Sequence, residues 1–241
     1  SVHAENHLIT AAEIYAMYML VWSPELWAFV DLDDHKIPDA FLSQYESEKE
    51  TIMAFRDSLP AARRVFAHLP TYMIFDDHDV TDDWNLTRGW EQAAYENPYS
   101  RRIIGNAMIG YWLFQGIGNN PTTFTELFSI ASETFSTGGI THQDEFISRL
   151  LTYSHWHYVL PTEPKCVVLD TRTHRLRSEK GDNYPSGLMA WESLTQLQNE
   201  LYDQDKVMIV SAAPIFGVKL IEVIQKVFTF FGKAFLVAAS H

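Results

Sequence analysis

The stretch TYMIFDDHDVTDDWN, residues 71–85, joins a short apolar run to a dense acidic cluster. Five aspartates and one histidine lie within residues 76–83. The run TYMIF at 71–75 contains β-branched and aromatic residues and is bounded by Pro70 and the acids, which predicts a buried strand. Because open α/β sheets bind ligands beyond the carboxyl ends of their strands, the sequence predicts a functional site at residues 76–83.

The chain around this stretch alternates between helical and strand patterns. The predicted elements are helices at 8–22, 39–59 and 188–205 and strands at 71–75, 165–170 and 206–216. Pro60 is expected to end the second helix, since proline removes a helical hydrogen bond. This alternation favours an α/β layered fold.

We expect residues 1–241 to form one domain with three parts. They are a helical part at about 1–70, a motif-bearing α/β part at about 71–217 and an apolar helix at about 218–239. Glu222, Lys226 and Lys233 interrupt the last part, so the sequence predicts no transmembrane span there. It predicts a buried helix, or one that contacts a partner or a second copy.

Composition excludes several function classes. The 241 residues carry 18 basic and 31 acidic side chains, a net charge of −13, without a dense basic patch. Such a chain should repel nucleic acids and anionic membranes. The single cysteine, Cys166, excludes an intrachain disulfide. The first 22 residues lack the basic-then-apolar plan of a signal peptide, and the sequence does not identify a compartment.

The crowding of acids at residues 76–83 calls for a compensating charge, and a hard cation is the usual one. An EF-hand loop starting at Asp77 is excluded, because its sixth position is Asp82 rather than glycine. A helical His-Asp phosphohydrolase motif conflicts with the preceding strand pattern. Three interpretations stay open: a D-x-D nucleotide-sugar site at 77–79, a metallophosphoesterase signature, and a solvated acidic turn in which Asp79 or Asp82 caps a helix.

A second motif, VVLDTRTHR at residues 167–175, ends another predicted strand. Asp170 lies at the end of that strand and Arg172 follows two positions later. A carboxylate and a guanidinium at this place suit a metal ligand and a phosphate clamp. A structural ion pair explains them equally well.

With these motifs in order, the chain resembles the PhoD-like alkaline phosphatase family of metallophosphoesterases. The matching residues are FDDHDVTDDWN (75–85), VVLDTRTHR (167–175), LTQLQNEL (194–201) and VMIVSAAPI (207–215). The resemblance implies a calcineurin-like αββα sandwich that hydrolyses small phosphate monoesters or diesters. It also implies two or more divalent or trivalent metal ions, with Ca, Fe, Mn, Mg and Zn not distinguished.

The resemblance also assigns roles to residues of the two motifs. Asp77 would ligate a metal, with Asp76, Asp79 and Asp170 as further candidate ligands. His78 would protonate the leaving oxygen or steady the phosphate, and Arg172 would contact the substrate phosphate.

Two motifs of the family have no match in this chain. The earlier Gly-Asp-Gln-x-Tyr-x-Asp motif is replaced by AEIYAMY at 12–18, and no Gly-Asp-x-His follows residue 217. The resemblance therefore implies a sandwich that is incomplete at both ends. A non-enzymatic cation-binding or interaction module derived from the same fold is the alternative function.

Overall fold

The computed structural model describes residues 7–33, 37–136 and 139–215, without the side chains of 139–141. The chain divides into two compact units. One contains residues 10–71, and the other contains residues 1–9 and 72–241. The division lies close to residue 70, where the sequence predicts that the helical part ends.

The unit of residues 10–71 is helical wherever the structure describes regular structure in it. Helix α1 (Ala11–Trp22) begins with a capping box, in which Thr10 and Glu13 each bond the other's backbone N–H. Helix α2 (Leu42–Phe66) continues through Pro60, so the predicted end at residue 59 is wrong. Pro60 is exposed, which lets water reach the carbonyl that loses its partner, and the helix formers at 61–64 extend the helix beyond it.

The second unit holds the remaining helices. They are α3 (Arg88–Glu96), α4 (Pro98–Tyr111), α5 (Ile117–Asn119), α6 (Thr125–Thr134), α7 (Gly139–Thr152) and α8 (Trp191–Leu201). A π-helical turn, Trp112–Gly116, joins α4 to α5.

The same unit contains a three-stranded mixed sheet in the order β1-β2-β3. Strand β1 (Tyr158–Leu160) pairs antiparallel with β2 (Lys165–Leu169), and β2 pairs parallel with β3 (Val207–Ser211). Helix α8 lies in the connection between the parallel strands, as the sequence predicts. Asp170 therefore follows the carboxyl end of the central strand, where a ligand site is expected.

The α/β class is confirmed, and the layered αββα sandwich stays a prediction, since the described residues form this one small sheet. The predicted strand at 71–75 is wrong, because the structure has an irregular segment there. The predicted helix at 218–239 lies outside the described residues. No helix in the described ranges is long and apolar enough to cross a membrane.

An aromatic cluster holds the irregular segment 71–75 in the core. Phe75 has 0% of its surface exposed. Its ring meets those of Trp84, Tyr111 and Trp156 edge-on, with ring centroids 4.8–5.6 Å apart. Edge-to-face contacts at such distances add to the free energy gained by burial. The acids that follow Phe75 are therefore fixed to a packed core.

Candidate functional site

The acidic cluster begins with a 3₁₀ turn, Asp77–Asp79, that is capped from both sides. The backbone N–H of Asp76 donates to Asp79 Oδ2 at 2.8 Å, and the Asp76 side chain accepts from the backbone of Asp79. Helix α3 has its own N-cap, because the Thr87 side chain accepts from Trp90 N. For the open interpretation in which Asp79 or Asp82 caps a helix, the structure shows Asp79 in the capping box of the 3₁₀ turn and Thr87 at the N-cap of α3.

Arg172 joins the two sequence motifs. Its Nε donates to Asp76 Oδ1 at 2.8 Å, and its Nη2 donates to Asp76 and, at 3.2 Å, to Asp77 Oδ1. The Arg172 side chain is only 4% exposed, and those of Asp76 and Asp77 are 37% and 9% exposed. Arg172 thus compensates part of the negative charge for which the sequence predicts a metal ion.

The two most buried carboxylates use all their oxygens in hydrogen bonds. Asp77 Oδ1 also accepts from His78 N, and Asp77 Oδ2 accepts from Asp83 N, both at 3.2 Å. Asp170 Oδ1 accepts from the backbone N–H groups of Arg172 and Thr173 at 2.9 Å, and Asp170 Oδ2 accepts from the Thr173 hydroxyl. Asp170 therefore shapes the loop that carries Arg172.

His78 is the accessible member of the cluster, with its side chain 77% exposed. Its Nδ1 lies 3.0 Å from Asp82 Oδ1, and its Nε2 lies 3.8 Å from Asp77 Oδ1. The ring can therefore meet a ligand from solvent while Asp82 fixes its orientation. From the sequence alone, Asp82 had only the role of a candidate helix cap.

A buried chain of hydrogen bonds holds the backbone carbonyl of Arg172. Asn85 Nδ2 donates to the Arg172 carbonyl at 3.0 Å, and the Tyr95 hydroxyl donates to Asn85 Oδ1 at 2.7 Å. Trp84 Nε1 donates to that hydroxyl at 3.0 Å, and burial raises the pKa of Tyr95 to about 12. Tyr95 therefore remains a neutral donor near pH 7.

A second buried arginine lies near Arg172. Arg175 Nε and Nη2 donate to the carbonyls of Gly187 and Ser186, both at 3.1 Å. Burial, followed by the charge of Arg172, lowers the pKa of Arg175 to about 10. Both arginines come from the VVLDTRTHR motif, and Arg175 has a structural role that the sequence did not reveal.

Protein contacts already engage the acids that the resemblance assigns to a metal centre. Asp77 and Asp170 have both oxygens bonded, and Arg172 contacts Asp76. Within the described ranges, no three histidine, cysteine, aspartate or glutamate side chains group as metal ligands. Hydrogen bonds and ion pairs with the rest of the chain therefore help to hold the acidic turn.

Asp79→Asn is expected to raise the free energy of unfolding at pH 7. Burial, and to a smaller extent the charge of Asp76, raises the pKa of Asp79 above its usual value. A carboxyl with a raised pKa stabilises the fold when protonated, and this stabilisation is lost as pH rises through its folded pKa. Urea denaturation should show the gain of the variant at pH 7 and no gain near pH 3. A loss at pH 7 would contradict the prediction.

The structure brings together every candidate residue from the sequence. Asp76, Asp77 and Arg172 are in contact, Asp79 caps the turn, and His78 and Asp170 adjoin this set. Comparisons with models of protein families, with curated proteins and with solved structures returned no match.

Proposed function

We propose that the chain is a metal-dependent hydrolase of phosphate monoesters or diesters, of the PhoD-like type. One observation carries the proposal: Arg172 contacts Asp76 and Asp77 although 95–96 residues separate them along the chain. These residues belong to the two most specific motifs of the resemblance. Their contact supports the idea that the motifs form one site.

The residues present suggest how the chain's own groups would act. His78 projects into solvent with Asp82 on its Nδ1, an arrangement that suits a general acid for the leaving oxygen. Arg172 holds Asp76 and Asp77 together. A substrate phosphate would compete with Asp76, the more exposed carboxylate, for the guanidinium. The need for divalent ions is part of the proposal and has to be measured.

The alternative is a non-enzymatic cation-binding or interaction module. The interaction form of this alternative is favoured by the hydrogen bonds that both oxygens of Asp77 and Asp170 already accept, since these bonds make the oxygens less available to a cation. In that case Asp77 and Arg172 form a structural ion pair and His78 has no chemical task.

Turnover of aryl phosphates by the full chain tests the proposal. Mono- and diesters would be assayed with Mn²⁺, Ca²⁺, Zn²⁺, Mg²⁺ or Fe³⁺ added, for the wild type, Asp77→Asn and His78→Gln. We expect each substitution to lower kcat/KM by about 100-fold or more. The His78→Gln loss should be larger for phenyl phosphate than for p-nitrophenyl phosphate, because the poorer leaving group needs the proton more.

The matched control is His142→Gln, which removes a half-exposed histidine that pairs with Glu133 at 3.7 Å. It should leave turnover within about twofold of the wild type. Absence of turnover by the wild type with every ion, together with Ca²⁺ binding in calorimetry, would support the non-enzymatic module instead.

A further inference from the structure

Side chains form the hydrogen bonds to the backbone of the segment that leads into the acidic turn. In a β-strand, a neighbouring strand would form them. The Met73 N–H donates to Asn119 Oδ1 at 2.9 Å, and Asn119 Nδ2 donates to the Met73 carbonyl at 2.6 Å. The hydroxyls of Tyr111 and Tyr158 donate to the same carbonyl at 3.2 and 3.0 Å. The Asn119 amide thus replaces the two-point pairing of a strand partner.

One helical stripe supplies most of these contacts. Tyr111, Gln115 and Asn119 are spaced four residues apart, and Gln115 Nε2 lies 3.4 Å from Asp79 Oδ1. In an α-helix, each step of four residues drifts by about 40° around the axis. The π-helical turn Trp112–Gly116 lies between them and is wider than an α turn, which offsets part of this drift. The π turn therefore helps the three side chains to face one segment.

The stripe contacts the chain on both sides of Asp76: at Met73, before the Asp77–Asp79 turn, and at Asp79, the last residue of that turn. Met73 precedes Asp76 by three residues, a span of at most about 10 Å. Phe75, in between, is fully buried. Asn119 therefore restricts where the turn begins, and Gln115 contacts Asp79 at its end.

We propose that Asn119 and Gln115 are positioning residues that set the place of the Asp77–Asp79 turn relative to Arg172. The catalytic consequence rests on the proposed phosphate chemistry, whereas the structural consequence does not. Neither residue touches the reacting groups: each acts through Met73 or Asp79. Small displacements of a reacting group cost large factors in rate, so the effect should fall on kcat.

Asn119→Asp tests this proposal with little change in shape. Above the pKa of the new carboxyl, the variant can accept from the Met73 N–H but cannot donate to the Met73 carbonyl. Below it, the O–H replaces the lost donor. Asn120→Asp is the matched control, since it makes the same charge change at an exposed position whose side chain accepts from Thr122.

Hydrogen exchange and kinetics would be measured on the full chain. At pH 8 we expect the amides of residues 73–79 to exchange about tenfold faster in Asn119→Asp than in Asn120→Asp. The difference should disappear at pH 4. With turnover, kcat should fall by about 10- to 100-fold while KM stays within about threefold. Equal exchange in the two variants, or faster exchange with unchanged kcat, would overturn the proposal.

The test of the positioning role can be read independently of the test for phosphate-ester hydrolysis. If the wild type shows no turnover, Mn²⁺ affinity takes the place of kcat, and a drop of about tenfold in Asn119→Asp alone supports positioning. If the wild type neither turns over nor binds Mn²⁺, hydrogen exchange alone decides: faster exchange of residues 73–79 in Asn119→Asp supports positioning of the turn, and equal exchange in the two variants overturns it. Gln115→Met should lower kcat or Mn²⁺ affinity without faster exchange at Met73, and an unchanged value would overturn the role of Gln115.

Discussion

Replacing Arg172 by methionine is expected to lower the free energy of unfolding by about 3–5 kcal/mol at pH 7. Methionine fills similar space but leaves Asp76 and Asp77 without their cation. Asp77, with 9% of its side chain exposed, cannot recover hydration for its charge. Urea denaturation followed by tryptophan fluorescence would measure the loss, with the two compact units fitted as separate transitions.

Arg88→Met provides the matched control for this prediction. Arg88 Nε lies 3.6 Å from Asp182 Oδ1, and both side chains are exposed, at 51% and 56%, so the loss should be about 1 kcal/mol or less. Adding Asp77→Asn to Arg172→Met should recover part of the stability, because the unpaired charge is then removed. Equal losses for Arg172→Met and Arg88→Met would show that the bridge between the motifs contributes no more than a surface pair.

The sequence was sufficient to predict the elements that depend on local hydrogen bonds or on an uninterrupted hydrophobic pattern. The apolar run at 165–169 is buried as β2, and the amphipathic pattern after residue 190 becomes α8. The helix predicted at 8–22 is present as α1 but begins at Ala11, after the capping box of Thr10 and Glu13. In each case the deciding interaction lies within the element or on its buried face.

Prediction failed where a residue's surroundings outweighed its own preference. Pro60 ends helices in general, but its exposed position in α2 lets water replace the lost bond. The run at 71–75 has the composition of a strand, yet side chains satisfy the backbone of Met73. Composition measures the tendency to be buried and cannot say which group pairs with the backbone.

Some residues of the candidate site could be predicted from the sequence and others could not, for the same reason. Asp76, Asp77, His78 and Arg172 were predicted, because crowded charges and the resemblance both mark them. Asn119 and Gln115 were missed, since they lie 46 and 36 residues from the groups they contact and are ordinary helical polar residues. A helical asparagine shows its role only once the packing of the π turn is known.

Phe75→Ala is expected to lower the free energy of unfolding by about 3–5 kcal/mol. Its ring is fully buried, and Trp84, Tyr111 and Trp156 each meet it edge-on within 5.6 Å. Two of these neighbours are large, buried indoles, so the space left by the ring should collapse only in part. Urea denaturation of the full chain would measure the loss in the transition of the unit that contains residues 72–215.

The position of Phe75 makes this substitution informative about the site as well. Because Phe75 directly precedes Asp76, a cavity there should loosen the acidic turn, and the amides of 76–79 should exchange faster than those of the sheet. Phe135→Ala is the control, since its side chain is 49% exposed, and it should cost less than half as much. Equal costs for the two substitutions would mean that the aromatic cluster does not anchor the acids, which would then be held by Arg172 and by the hydrogen bonds of the turn itself.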